Sequence, residues 1–229
     1  MSWFSSYVRS SIGAKQVMAA TGLAMVLFAI VHMLGHLGMF SGQDAYNAYA
    51  HFLQTLGGPK WIARGGLLAV FVVHVASAMR LVARNRAARP VAYAVYKPVR
   101  STLMSRTMAM TGLVLLAFII YHLLHFTLGM VQPEFFHKLD QAGRYDAYSM
   151  FVRGFQNVGI FASYLVAILL LSLHLGHGAS SWLQSLGLRH PKYSPKLDKL
   201  GPAISLILFL GYMAPPTAVL LGLIKLPGA

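Results

Sequence analysis

The chain contains no cysteine and only five acidic residues among its 229. Without a thiol it forms no disulfide, ligates no iron–sulfur cluster and builds no thiolate metal site. Charge of either sign is scarce: Asp, Glu, Lys and Arg together make 10% of the chain, while 57% is hydrophobic and the mean hydropathy is +0.60. A soluble core of this size cannot hide that much apolar surface, so lipid is expected to solvate it. The segments between apolar runs reach only about 20 to 25 residues, too little for a nucleotide or flavin domain. Chemistry in this chain therefore falls to histidine, to a bound cofactor or to a partner's active site.

Five stretches reach the roughly 20 apolar residues that carry a helix across the hydrocarbon core, at about 16–39, 61–83, 106–129, 156–181 and 201–224. The expected fold is an all-α integral membrane protein, one membrane domain over residues 1–229, with the first four helices forming a cofactor-holding bundle. The first apolar run is too long for a signal peptide, and Trp3, Phe4, Tyr7, Val8 and Arg9 before it read as an interfacial stretch, so no cleaved leader is expected. The formal charge of +14 does not imply nucleic-acid binding, because the basic residues cluster in particular loops between spans. Arg9 and Lys15 precede span 1. Arg80, Arg84, Arg86, Arg89, Lys97, Arg100 and Arg106 join spans 2 and 3, and Arg189, Lys192, Lys196 and Lys199 join spans 4 and 5. The opposite loops hold Lys60, Arg64, Lys138, Arg144 and Arg153 together with Asp44, Glu134, Asp140 and Asp146. The positive-inside rule therefore puts the N-terminus in the cytoplasm and the C-terminus outside.

An internal repeat organises the histidines. Met18-Ala-Ala-Thr-Gly-Leu23 in span 1 matches Met108-Ala-Met-Thr-Gly-Leu113 in span 3 at an offset of 90 residues, and 14 residues after each Met stands a histidine, His32 and His122. Both spans run outward, so these two are expected at one depth, toward the outer side. Spans 2 and 4 run inward and carry His74 and His174 late in their course, toward the cytoplasmic side. Three more histidines share these helices: His36 one turn beyond His32, His125 three residues after His122, and His177 three after His174. A lone membrane histidine is ordinarily an interhelical hydrogen-bond partner. Four helices contributing at matched depths instead fit bis-histidine haem, which needs two opposed imidazoles. Zinc fits less well, since it takes four converging ligands and neither depth offers a cysteine or a membrane carboxylate. Gly22, Ala29, Gly35, Ala76, Ala78, Gly176 and Gly178 near the histidines would permit a flat macrocycle to approach, although small residues also pack membrane helices. No span carries two histidines about 20 Å apart, which tells against one helix serving two stacked haems. One ligand per helix from spans 1 to 4 is expected, His32 with His122 and His74 with His174.

These features resemble the cytochrome b subunit of the succinate dehydrogenase/fumarate reductase family, in its dihaem, five-helix, single-anchor form. The resemblance covers nearly the whole chain. It rests on Ser11-Ile-Gly-Ala-Lys, the first repeat copy leading to His32, Ala50-His-Phe-Leu53, Val73-His-Val-Ala-Ser-Ala-Met-Arg80, Ser105-Arg-Thr-Met, His122-Leu-Leu-His-Phe126, and Leu173-His-Leu-Gly-His-Gly178 with Leu186-Gly-Leu188. It implies that His32, His74, His122 and His174 are axial ligands of two haems b. His177 remains the alternative to His174, because His177-Gly-Ala-Ser-Ser echoes His74-Val-Ala-Ser-Ala. His36 and His125 are expected beside the ligands rather than on iron. Lys15, Arg80, Arg84 and Arg106 lie where they would pair with inner-haem propionates.

The resemblance further implies a membrane anchor in a bacterial cytoplasmic membrane, bound to a flavoprotein subunit with FAD and to an iron–sulfur subunit, serving electron transport and the tricarboxylic acid cycle. Succinate would be oxidised in the flavoprotein, and electrons would reach a quinone, menaquinone foremost, near the outer haem. Asn47, Tyr49, His51 and Gln54 in the outer segment from Asp44 to Leu56 are the candidate quinone contacts, with an ordinary wet loop as the competing interpretation. No span contains Asp or Glu, so a carboxylate proton path through the membrane lacks support. Two other functions stay open: a cytochrome b anchor of another dehydrogenase, such as a hydrogenase or formate dehydrogenase, and a transporter with a histidine-lined path. Direction of turnover, quinone type and oligomeric state are not legible in the sequence.

Overall fold

A computed structural model describes residues 3–89, 91, 94–95, 97, 101–226 and 228, apart from the side chains of Phe4, Ser5 and Arg9. Arg100 and the Arg9 side chain, both counted above for orientation, lie outside this set. The described chain is helical, with an isolated antiparallel bridge between Leu139 and Tyr145. Helices α1 (Trp3–Arg9), α2 (Ser11–Leu37), α3 (Gln43–Thr55), α4 (Gly58–Ala87), α5 (Leu103–His122), α6 (Ala147–Gln156), α7 (Val158–Ser185) and α8 (Ser194–Leu220) follow in order.

Five of the helical segments are long and apolar enough to cross a membrane: Ser11–Ser41, Gly58–Ala87, Leu103–Thr127, Val158–Ser185 and Ser194–Leu220. At about 1.5 Å per residue each exceeds a hydrocarbon core of about 30 Å; the first two begin earlier and end later than their apolar windows, whereas the third stops at Thr127 and the fifth at Leu220, short of 129 and 224. Their exposed faces are themselves apolar. Leu27, Val31 and Leu34 on α2, Leu68 and Val72 on α4, and Leu206 and Leu210 on α8 repeat at helical spacing and are all more than half exposed. Facing water, each such side chain would forfeit about 1.5–3 kcal/mol, so an apolar solvent is required and the chain is a multi-pass membrane protein.

Helix ends have local causes. Asp146 caps α6 by accepting from Ser149 N at 3.0 Å, and Asn157 stops α6 and opens α7 by accepting from Gly159 N and Ile160 N at 2.9 and 3.1 Å. After His122 the ladder widens into a π-helical turn over Leu123–Thr127, closed by Gly129 at φ 64°. Helix α8 starts seven residues before the apolar window, with Pro195 in its first turn where no N–H partner is needed. Pro215 and Pro216 do not interrupt it: both are buried, and α8 runs on to Leu220.

The chain forms two compact units. One comprises Met1–Ala29, Gly65–Leu113 and Ser172–Ser205, the other Ile30–Arg64, Val114–Leu171 and Leu206–Ala229. In the first, α7 and α8 approach closely: Ser205 Oγ donates to Ser172 O at 2.7 Å, and a Cβ on Gly201 would lie 2.2 Å from Gly176 O. Gly176 therefore serves a helix crossing, not an approaching macrocycle. In the second, Met39, Tyr46, Tyr148, Phe151, Val152, Phe155, Tyr164 and Met213 share one core with the aromatic rings of Phe118, Tyr121 and Phe126 against it. Helices α3 and α6, which lie between spans in sequence, supply much of that core.

Candidate functional site

In the first unit the two copies of the repeat each receive a histidine. Thr21 on α2 donates its hydroxyl hydrogen to the carbonyls of Val17 (2.8 Å) and Met18 (3.1 Å), and its oxygen stands 3.2 Å from Nδ1 of His74 on α4. Thr111 on α5 repeats the arrangement, donating to Thr107 O (3.1 Å) and Met108 O (3.2 Å) and standing 3.2 Å from Nδ1 of His174 on α7. The following glycines face the same rings: a Cβ on Gly22 would lie 3.3 Å from His74 Cε1, and one on Gly112 would lie 3.5 Å from His174 Cε1. His174, and not His177, holds the position equivalent to His74. The pairing of each histidine with a repeat threonine escaped the sequence reading, although the threonine's identical place in both copies was its signal.

In the second unit His32 on α2 and His122 on α5 lie with ring centres 5.9 Å apart and planes at 86°. His36 Nε2 is 3.2 Å from His32 Nε2, and His36 Nδ1 is 3.0 Å from the Tyr46 hydroxyl on α3. Tyr164 on α7 bridges the other doublet, its hydroxyl 3.3 Å from His122 Nδ1 and 3.1 Å from His125 Nδ1. His125 is almost wholly buried, and its Nε2 meets Gln132 Oε1 at 3.3 Å, so both of its ring nitrogens are engaged. That arrangement suits a residue that supports its neighbour. Tyr46 and Tyr164 were not singled out beforehand; a tyrosine inside an apolar run, needing a partner for its hydroxyl, is the sequence clue for Tyr164.

The remaining expected residues are distributed as follows. Lys15 and Arg106 are exposed and Arg80 is half-buried, all in the unit that holds His74 and His174. His51 is exposed on α3. Asn47, the other candidate quinone contact, lies inside a polar cluster. It has no exposed surface; its Nδ2 donates to Asp146 Oδ1 (2.9 Å) and Asp140 Oδ2 (3.2 Å), and its Oδ1 accepts from Tyr148 N (2.9 Å). Gln43 adds a donor to Asp146 at 3.0 Å, and Arg144 joins Asp140 and Asp44 at 2.7 and 2.6 Å. Burial pushes the Asp140 carboxyl upward, but hydrogen bonds from Arg144 and Asn47 outweigh it and hold the group at about 2. Asp146 is likewise lowered: burial opposes the shift, and hydrogen bonds from Asn47, Ser149 and Gln43 carry it. These polar residues latch α3 to α6.

Beside that latch lies a groove of about 370 Å³, lined by Val31, Leu34, Gly35, Ala45, Tyr46 and Tyr49 among others. Its volume is within the range of about 300–1,000 Å³ common to small-molecule sites. Tyr46 connects its wall to His36 and so to His32. Among the described residues no group of three or more His, Asp and Glu side chains is arranged to hold a metal ion. No family model, no curated protein and no solved structure matches this chain.

Proposed function

We propose that the chain is the dihaem cytochrome b anchor of a succinate:quinone oxidoreductase, with His74 and His174 holding one haem and His32 and His122 the other. The observation that carries this reading is the 5.9 Å ring separation of His32 and His122, supported by His74 and His174, which lie in one unit and each meet a repeat threonine through Nδ1. Two imidazoles bound through Nε2 to one iron have ring centres about 6 Å apart, given metal–nitrogen bonds of about 2 Å. The 5.9 Å of His32 and His122 agrees, and rings at 86° are compatible because each plane contains its own bond axis. His32 would hold the iron through Nε2 in place of its contact to His36, whose ring would keep its bond to Tyr46. In the other pair, the threonine hydroxyls engage Nδ1 and leave Nε2 as the remaining nitrogen. Haem needs only two protein ligands per iron, so a cluster of three is not required.

When bound, each haem supplies a one-electron carrier inside the membrane. The protein's own contribution is to hold the imidazoles, bury them and exclude water. His174 is favoured over His177 by its equivalence to His74. Lys15, Arg80 and Arg106 are the cations of the same unit that would meet haem propionates. For the quinone, menaquinone foremost, the groove at Tyr46 and Tyr49 is a better place than Asn47, whose bonds are all spent on the latch; His51 is exposed nearby on the same helix. The unit with His74 and His174 carries thirteen of the nineteen Lys and Arg residues and one acid, against six and four in the other. By the positive-inside rule it faces the cytoplasm of a bacterial cell, toward a flavoprotein and an iron–sulfur subunit that would provide the succinate site.

The test is a reduced-minus-oxidised spectrum with haem quantitation on the purified membrane complex. Two b haems per chain are expected, with one lost in each of His32→Ala, His74→Ala, His122→Ala and His174→Ala and both kept in His177→Ala. Haem-free protein overturns the reading and brings a histidine-lined transporter forward. Haem with a partner other than a succinate-oxidising flavoprotein moves the chain to another dehydrogenase.

A further inference from the structure

The repeat contains more than its histidines. The four-ligand reading uses His32 and His122 but leaves unexplained why both copies keep Thr-Gly eleven and ten residues earlier. We propose that Thr21-Gly22 and Thr111-Gly112 form imidazole receptors: each threonine is a positioning residue that fixes the proton of His74 or His174 on Nδ1 and thereby presents an unprotonated Nε2 to iron.

The argument follows the hydrogens. A threonine hydroxyl has one hydrogen to give, and in both copies it faces backbone carbonyls of the preceding turn at 2.8–3.1 Å for Thr21 and 3.1–3.2 Å for Thr111. With that hydrogen committed, the oxygen is an acceptor toward the imidazole 3.2 Å away, and the ring must supply the proton from Nδ1. A neutral imidazole carries one N–H, so Nε2 is left with its lone pair. This is the tautomer that ligation through Nε2 demands. The adjacent glycine has a steric part: a methyl on Gly22, 3.3 Å from Cε1, would press on the ring whose tilt the hydroxyl sets, and one on Gly112, at 3.5 Å, would lie in contact with it. Thr111 is 5% exposed, so its contact to His174 is shielded from water that would otherwise compete for the same proton. Back-bonding of a threonine to its own helix is commonplace. Convergence of both copies on Nδ1 of histidines from two other helices, at the same distance and with the same glycine beside the same ring carbon, is not explained by helix packing alone.

The consequence is electronic as well as geometric. An acceptor on Nδ1–H increases the basicity of Nε2, which strengthens ligation and favours ferric over ferrous iron. This inference rests on the haem reading for its electronic part, and on the chain alone for its tautomer part. The experiment uses the purified complex and three variants: Thr111→Val, which keeps the shape and removes the acceptor, Thr111→Ser, which restores it, and Thr21→Val. Valine variants are expected to release one haem 10–100-fold more readily. They are also expected to raise that haem's midpoint potential, a tenfold change in oxidation-state preference being about 59 mV. The other haem and the serine variant should match wild type. A valine variant with wild-type potentials and haem retention overturns the proposal and reduces the contact to packing. Nitrogen-15 NMR of labelled histidine reads the tautomer whether or not haem is present. A complex that purifies without haem but has His74 and His174 protonated on Nδ1 would refute the functional reading and leave the receptor standing; protonation on Nε2 would refute the receptor itself.

Discussion

Replacing Asn47 with alanine separates two roles that its position in the sequence leaves indistinguishable. The structure gives this side chain three hydrogen bonds and no exposed surface. Truncation leaves Tyr148 N–H, in the first turn of α6, without an acceptor, at about 1–3 kcal/mol for a buried orphan donor. Asp146 and Asp140 each lose a donor but keep others, from Ser149 and Gln43 and from Arg144 and Ala142 respectively, so those losses are partial. The expected loss is therefore about 1–3 kcal/mol from the amide with a smaller addition from the carboxylates, a large share of the stability of an ordinary domain. Asn47→Asp should be at least as damaging, because it keeps an acceptor for Tyr148 but turns a donor facing two carboxylates into a third carboxylate. The assay is unfolding in mixed micelles followed by circular dichroism, with hydrogen exchange read over residues 43–55 and 139–151. Expected is a drop of that size and faster exchange in both segments. Stability within about 0.5 kcal/mol of wild type, ordinary scatter for a surface substitution, would refute the latch; a raised quinone KM as the sole effect would return Asn47 to the quinone site.

The same latch sets a pH dependence. Asp140 and Asp146 are held below the ordinary carboxylate range in the folded chain, so their contribution is complete above about pH 4 and is lost as the pH falls toward 2. The difference in thermal midpoint between wild type and Asp140→Asn should be constant from about pH 8 to 5 and shrink below about 4; a difference that persists unchanged at low pH would exclude the carboxylate as the cause. Two glycine substitutions test the helix crossings. Gly201→Ala puts a methyl 2.2 Å from the backbone oxygen of Gly176, which cannot yield, whereas Gly211→Ala meets Met33 Sδ at 2.2 Å, the flexible part of a side chain. Gly201→Ala should cost about 1–3 kcal/mol and Gly211→Ala less; the reverse order would show that α8 crosses elsewhere.

Much of the architecture was readable in composition and period. Runs of apolar residues long enough for lipid located all five spans, with most ends a few residues off and the start of α8 seven residues earlier, since hydropathy marks the apolar stretch and not where the backbone starts or stops being helical. The 90-residue repeat likewise located histidines on matched helices. It did not show that the threonines of one stretch receive histidines from others, because side-chain pairing between helices depends on their rotation about their own axes, which a one-dimensional pattern leaves free. Gly176 is the converse case: proximity to His174 in sequence suggested room for a cofactor, and the fold spends it on α8.

The segments between spans were least legible. Residues 43–55 and 147–156 fall between the spans and carry no apolar run of membrane length, yet they form α3 and α6 and bury Tyr46, Tyr148, Phe151 and Phe155. Asn47 looked available only because nothing in the sequence states that Asp140, Asp146 and the Tyr148 amide converge on it from about a hundred residues away. Local hydrophobicity and spacing alone set the solvent, the number of crossings and the helices that carry histidine. Which nitrogen of each imidazole is engaged, which polar residues are spent on structure and which histidine of the last doublet matches His74 were decided only by tertiary structure, because hydrogen bonds are directional and their partners are set by how the helices face one another.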